Sequence, residues 1–342
     1  MKRIAIFADG TWDSPIDGPP TNVLRMARAI RPVATKAGVE TEQIAFYDWG
    51  VGSDRKKLTG GISGSGIDKN IMDCYRFIVH NYNPGDELFF FGFSRGAYTV
   101  RSLAGFIRNC GILKRQHASR IPDAYKLYRN RRKDSHPDAD KSKQFRRDYA
   151  VRMLSDIKFV GAMDTVGSLG IPVPFWGTLN EREFLFHDTS PSRIIKHARH
   201  AVAIDENRED FDATLWDEKD GVDLKQVWFA GHHGNVGGGL DDTGLSDCAA
   251  DWILKEAEEQ DLKFESHFRN SVDPRPDDRQ HDGRKHIYRM RKKIVRNIAG
   301  PVHQTVKERW DSDAHRYRKK SQALNDLLAS VDNDWSRIEV VS

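Results

Sequence analysis

Five residues constrain this chain more than any others: Gly92-Phe93-Ser94-Arg95-Gly96, a G-x-S-x-G pattern. The turn Asn83-Pro84-Gly85-Asp86 precedes the apolar run Leu88-Phe89-Phe90-Phe91, which suits a strand covered on both faces. Behind the serine, Val100, Leu103, Ile107 and Cys110 fall on one side of a helix that stops at Gly111, a natural residue just past a helix end. The order is strand, sharp turn, helix. A serine presented on such a turn needs tight backbone, and side chains at the flanking positions would collide with the strand and the helix. The bare pattern recurs by chance, so its placement carries the inference: Ser94 is expected to be a nucleophile rather than part of an ordinary Gly-Ser turn.

The same alternation runs on both sides of the motif. Ile4 to Phe7 reads as a buried strand ending in the polar turn Asp9-Gly10-Thr11-Trp12. Thr21 and Asn22 can cap a helix through Val23, Leu24, Met26, Ala27 and Ile30, and Gln43 to Tyr47 offers another strand. A glycine-rich stretch from Gly50 to Gly66 feeds a helix with one apolar stripe at Ile67, Ile71, Cys74, Tyr75, Ile78 and Tyr82. Ile157 to Met163 and Val227 to Ala230 predict two more buried strands, the first followed by Asp164 and the second by His232-His233. This rhythm predicts an α/β fold with a mostly parallel central sheet flanked by helices.

Length allows one elaborated domain or two smaller ones, and the absence of a repeat or linker favours one domain over 1–342. Its core is expected at about 1–114 and 150–263. Residues 115–149 are charged, with Arg131-Arg132-Lys133 and Arg146-Arg147, and read as a helical insertion. Residues 264–342 are charged and poor in strand signals, and read as a helical extension in which Ile294, Val295, Ile298 and Val302 dock a helix on the core.

Hydrophobic residues at 38% and charged residues at 30% exclude disorder as the main state, and a net charge of +4 is too small for a dedicated nucleic-acid binder. Cys74, Cys110 and Cys248 are odd in number and widely spaced, unlike a disulfide framework or a metal site, so a reducing cytoplasm is expected. Ile4 to Phe7 is far too short for a secretory apolar region, and no run nears the roughly 20 residues that span a bilayer; membrane contact is expected to be peripheral.

A serine hydroxyl needs a base to attack at neutral pH, and the base needs an acid to hold its tautomer. In the α/β-hydrolase fold they follow in the order serine, acid, histidine, each after a strand, and Asp164 and His233 meet that order. A turn cap for Asp164 and a structural role for His233 are the less favoured readings, and spacing does not choose between His232 and His233. Two N–H donors for an oxyanion are expected from Arg95 and from Thr11 or Gly10, against a reading of Asp9 as a plain turn cap. Ile171-Pro172-Val173-Pro174-Phe175-Trp176 reads as a lid or interfacial loop, with Phe175 and Trp176 against substrate, or as a buried connection. Arg284-Lys285 and Arg289 to Arg296 read as a solvated helix face rather than a contact for anionic head groups or nucleic acid. Phe7 stands where a dehalogenase-type phosphatase needs aspartate, and the Gly60 to Gly66 run lacks the ending of a phosphate loop.

Collectively the chain resembles the uncharacterised α/β-hydrolase domain typified by phospholipase effectors of type VI secretion. The matching stretches are Asp9-Gly10-Thr11-Trp12, Thr21-Asn22-Val23, the Gly60 to Gly66 run, Gly92 to Ala97, Asp164 to Gly170, His200-Ala201 with Asp205-Glu206, Trp228 to Gly231, and His233 leading to Val236-Gly237-Gly238-Gly239. The resemblance implies Ser94 as nucleophile, Asp164 as acid and His233, not His232, as base, with esterase or phospholipase A-type activity. It also implies a secretion-apparatus or immunity partner, and synthesis in the cytoplasm with export by a signal-less route. The chain departs where the family usually has aspartate shortly after the histidine, since Gly234 and Asn235 stand there. The alternative is a catalytically weak module that binds a membrane surface or a protein through the basic segment and the Phe175-Trp176 loop.

No cofactor is called for, and no H-E-x-x-H or similar metal spacing is present. Turnover of a soluble short-chain ester is therefore expected to survive exhaustive chelation; loss restored by zinc or manganese would contradict the serine reading.

Overall fold

Every residue of the run 88–91 is fully buried, and the strand that contains it lies near the middle of the sheet. The computed structural model describes residues 1–10, 18–50, 65–130, 132–167, 190–284 and 292–342. Among them the strands are β1 (Lys2–Ala8), β2 (Val33–Lys36), β3 (Val39–Asp48), β4 (Glu87–Phe93), β5 (Ile157–Met163), β6 (Ile195–Ala203), β7 (Asp223–Phe229), β8 (Val302–His303) and β9 (Val340–Val341). They form one sheet in the order β2-β3-β1-β4-β5-β6-β7-β8-β9, in which only β2 runs antiparallel to its neighbour. The fold is thus α/β with a mostly parallel central sheet.

Helices cover both faces. They are α1 (Asn22–Arg28), α2 (Ser65–Asn81), α3 (Arg95–Cys110), α4 (Ile121–Arg129), α5 (Asp140–Tyr149), α6 (His233–Gly237), α7 (Gly244–Glu259), α8 (Ser266–Ser271), α9 (Gln304–Ser312), α10 (Tyr317–Lys320) and α11 (Gln322–Ser330). Thr21 caps α1, its hydroxyl oxygen accepting from the Leu24 N–H at 3.1 Å. Successive β4 side chains point to opposite faces: Leu88 and Phe90 join the core beneath α2 and α3, while Phe89, Phe91 and Phe93 join the core beneath α1 and α7. With both faces covered, a continuous apolar run replaces the alternation of a half-exposed strand. Among the described residues no helix is long and apolar enough to cross a membrane.

Among the differences from the sequence reading, β6 went unread and one expected helix is absent. β6 carries Lys196, His197, Arg199 and His200, and Arg199 is buried only because its Nε donates to Glu256 Oε2 at 2.5 Å and its Nη2 to Asp223 Oδ2 at 2.7 Å. Its polar first half, held by long-range ion pairs, confines the apolar run to Ala201, Val202 and Ala203. The helix expected through Ile294 to Val302 does not form: residues 294–299 carry no regular secondary structure, and Gly300 (φ 109°) and Pro301 lead directly into β8. Val302 instead pairs with Trp228 of β7 and Val340 of β9, and α9 to α11 pack around it through Val306, Tyr317, Leu324 and Leu328.

Phe91 sits at the centre of the sheet, stacked 4.9 Å from Phe7 and tilted against Phe159 at 5.5 Å. Phe91→Ala is expected to lower unfolding stability by about 3–5 kcal/mol, read as a lower urea midpoint at unchanged slope.

Candidate active site

Parallel strands deliver their C-terminal ends to one edge of the sheet, where open α/β folds bind ligands. β1 leads into Asp9, β4 into Ser94, β5 into Asp164, β6 into the loop bearing Asp205-Glu206 and β7 into the turn bearing His232-His233. Ser94 is buried, with φ 57° and ψ −123°, a backbone conformation that a non-glycine residue holds only when its surroundings enforce it. Its N–H donates to the Met163 carbonyl at 3.0 Å, tying the turn to the end of β5. The flanking glycines are sterically required. A Cβ on Gly92 would lie 2.5 Å from the Gly96 carbonyl oxygen, and one on Gly96 would overlap the Ala8 carbonyl of β1.

Asp164 follows Met163 directly, and the Phe93–Met163 register therefore sets Ser94 and Asp164 on neighbouring strand ends. Asp164 also holds a positive φ of 39°, and its N–H donates to the Ala201 carbonyl at 2.7 Å. Its side chain has no exposed surface. Four donors surround the carboxylate: Oδ1 accepts from the Ala203 N–H at 2.9 Å and from Arg296 Nη1 at 2.6 Å, and Oδ2 from Arg296 Nη2 at 3.2 Å and His233 Nδ1 at 2.6 Å. Burial alone would raise its pKa, but the Arg296 guanidinium and the His233 hydrogen bond outweigh it and hold the carboxyl well below the usual range.

His233 opens α6, and its ring packs 4.5 Å from Phe93 and 5.0 Å from Phe211. The α6 turn reaches Phe93 because Gly237 has no side chain; a Cβ there would overlap the Phe93 ring. With Nδ1 donating to an ionised Asp164, the lone pair of the neutral ring resides on Nε2. Burial pushes the His233 pKa below its ordinary value despite Asp164, so the imidazole is neutral at pH 7 and able to take a proton. His232 makes no side-chain contact of this kind: its Nδ1 has no hydrogen-bond partner among the described residues, and it lines a cavity of about 470 Å³ with Glu206, Asn207 and Arg296.

Glu206 and Arg296 were not singled out as site residues from the sequence. Glu206 Oε2 accepts from the His233 N–H at 3.2 Å and from Arg208 Nη2 at 2.7 Å; burial opposes its ionisation, yet the Arg208 bonds and charge hold its pKa at about 2. Arg296 belongs to the segment read as a solvated basic face, and its deep burial corrects that reading at this position. No local pattern marks it, since its partner lies at Asp164. Asn235, standing near the expected family aspartate, accepts from the His232 N–H at 3.2 Å through Oδ1.

The oxyanion donors divide. Arg95 takes the first position of α3, where backbone N–H groups point out of the helix start. The Gly10 N–H donates to Asp9 Oδ1 at 2.8 Å and is thereby engaged by a carboxylate, while Asp9 Oδ2 accepts from Tyr47 Oη at 2.8 Å and Thr21 Oγ1 at 2.5 Å. Thr11, Phe175 and Trp176 lie outside the described residues.

Comparison with known proteins identifies the family. The model of the type VI secretion phospholipase effector Tle1-like catalytic domain matches residues 2–256. The chain belongs to this family. An uncharacterized protein of Saccharomyces cerevisiae is 32% identical over an alignment of 235 residues that covers 61% of this chain and 32% of that protein, so the match spans about a third of that relative's length. Among solved structures, an uncharacterized protein from Pseudomonas aeruginosa is 14% identical with a TM-score of 0.46, covering 81% of this chain and 49% of that one. The Tle1 effector bound to the VgrG spike of the type 6 secretion system is 18% identical with a TM-score of 0.41, covering 71% and 52%. The Tle1-like match ends before Arg296.

One carboxylate on this edge is strained by burial. Asp48, at the end of β3, has its pKa pushed up to about 6 chiefly by desolvation. Its unfolded value is about 3.9, so above pH 6 the folded chain bears the cost of an ionised Asp48, and below about pH 4 both states are protonated and the cost vanishes. Asp48→Asn is expected to be more stable than the wild type at pH 8 by up to about 3 kcal/mol, with the gain fading through pH 6 and gone by about pH 4 in thermal or urea unfolding.

Proposed function

We propose that this Tle1-like chain is a serine esterase that hydrolyses carboxylic esters, with phospholipid acyl esters as its natural substrate class, through Ser94, His233 and Asp164. The observation that carries the reading is the 2.6 Å hydrogen bond between His233 Nδ1 and Asp164 Oδ2, at the strand end beside the strained Ser94 turn.

In this reading His233 Nε2 takes the Ser94 hydroxyl proton as Oγ bonds to the acyl carbon, and Asp164 stabilises the imidazolium without itself taking the proton. The tetrahedral oxyanion is stabilised by backbone N–H groups, Arg95 supplying one and Thr11 the second. His233 then gives its proton to the leaving alcohol oxygen as the ester C–O bond breaks. Water, deprotonated by the same nitrogen, attacks the acyl-serine, releasing the fatty acid and restoring Ser94. Phe175 and Trp176 are proposed to meet the acyl chain or the lipid surface. We further propose export from the cytoplasm by a type VI route with a secretion-apparatus partner, a reading supported by the family.

Fluorophosphonate labelling followed by lipid product analysis tests the reading. Wild type is expected to be labelled at Ser94 and to release fatty acid from phospholipid vesicles, and Ser94→Ala to lose at least about 10⁴-fold in kcat. His233→Ala is expected to fall comparably, whereas His232→Ala keeps turnover within about tenfold. An unlabelled, inactive wild type would favour the binding-module alternative, and equal collapse of both histidine variants with intact circular dichroism would remove the assignment of the base.

A further inference from the structure

We infer that Arg296, which lies outside the stretch matched to the catalytic-domain family, is a positioning residue of the active site, fixing the acid Asp164 and the wall behind the base His233 in one clamp. The inference rests on the serine-esterase reading above and adds to it a part of the chain that the family match does not include.

The Arg296 side chain is 1% exposed and the Asp164 side chain 0%, so neither charge is balanced by water. Its two terminal nitrogens divide their bonds. Nη1 donates to Asp164 Oδ1 at 2.6 Å and to the Ala203 carbonyl at 2.7 Å; Nη2 donates to Asp164 Oδ2 at 3.2 Å and to the Phe211 carbonyl. Three elements are thereby held together: the end of β5, the end of β6, and the loop bearing Phe211. The Phe211 ring in turn packs on His233 at 5.0 Å, and the Arg208 guanidinium covers that ring at 3.6 Å. A planar guanidinium can meet both carboxylate oxygens and two carbonyls at once, whereas an ammonium is a single point of charge. This geometry leaves Asp164 Oδ2 aimed at His233 Nδ1 and prevents the carboxylate from rotating away.

The surrounding charges bear on how the base titrates. Asp164 and Glu206 face His233 as anions and favour its protonation, while Arg208 opposes it; Arg296 neutralises Asp164 directly and acts on Glu206. Removing the Arg296 charge leaves the Asp164 anion unneutralised beside the imidazolium, which raises the pH at which His233 loses its proton.

Arg296→Lys and Arg296→Met, each assayed for kcat and KM on a soluble short-chain ester across pH 5 to 9, test the inference alongside wild type and Ser94→Ala. Arg296→Lys is expected to lose about tenfold or more in kcat with KM within about twofold, since it keeps the charge but not the fork. Arg296→Met is expected to fall further and to move the acidic limb of kcat upward by about one pH unit. Wild-type kcat in Arg296→Lys would overturn the inference, as would an unmoved limb in a folded Arg296→Met; should Arg296→Met not fold, Arg296→Lys decides alone. Failure of the esterase reading is separately visible, because wild type would then show neither Ser94 labelling nor a difference from Ser94→Ala.

Discussion

A carboxylate with no exposed surface cannot persist unless other groups replace the water it has lost, and at Asp164 that replacement organises the whole C-terminal edge of the sheet. Ala203 and Arg296 saturate one oxygen, and Arg296 and His233 the other. Leaving either charge of such a buried pair without its partner typically costs about 3–5 kcal/mol, so the elements bearing Asp164 and Arg296 are joined energetically although they are far apart in sequence. The consequence for chemistry is a carboxylate held ionised and aimed, with a neutral imidazole against it.

The second constraint is steric. The turn at Ser94 exists because β1, β4 and α3 approach so closely that only glycine fits at 92 and 96. Its positive φ is maintained by the Ser94 N–H bond to β5 and by the burial of β4 between two helical layers. Gly237 meets the same requirement from the other side, letting α6 approach Phe93 and bring His233 down toward Asp164. Packing of large aromatic side chains and the lack of a side chain at these glycines thus work as a pair.

The segment after residue 256 completes both the sheet and the site. β8 and β9 extend the sheet beyond β7, Tyr317 and Leu324 fill the core around Val302, and the Tyr317 hydroxyl donates to Asp205 at 3.0 Å on the loop next to Glu206. A charged segment with weak periodicity therefore contributes structure through a few buried contacts rather than through an amphipathic face.

The central architecture and the identities of Ser94, Asp164 and His233 as candidates were legible locally, because each rests on short-range pattern: an apolar run turning at glycine into a helix, and polar residues at strand ends. The choice of His233 needed the family resemblance, since adjacent residues cannot be told apart by periodicity, and the Asp164 hydrogen bond now distinguishes the two geometrically. Arg296 was beyond reach of the sequence for a different reason. A buried charge announces itself only through its partner, and here the partner of Arg296 stands 132 residues away. What the chain by itself determined was the order of strands, turns and helices, set by side-chain size and hydropathy over neighbouring residues. What only the tertiary structure decided was which charges leave water, because that depends on which distant groups arrive to neutralise them.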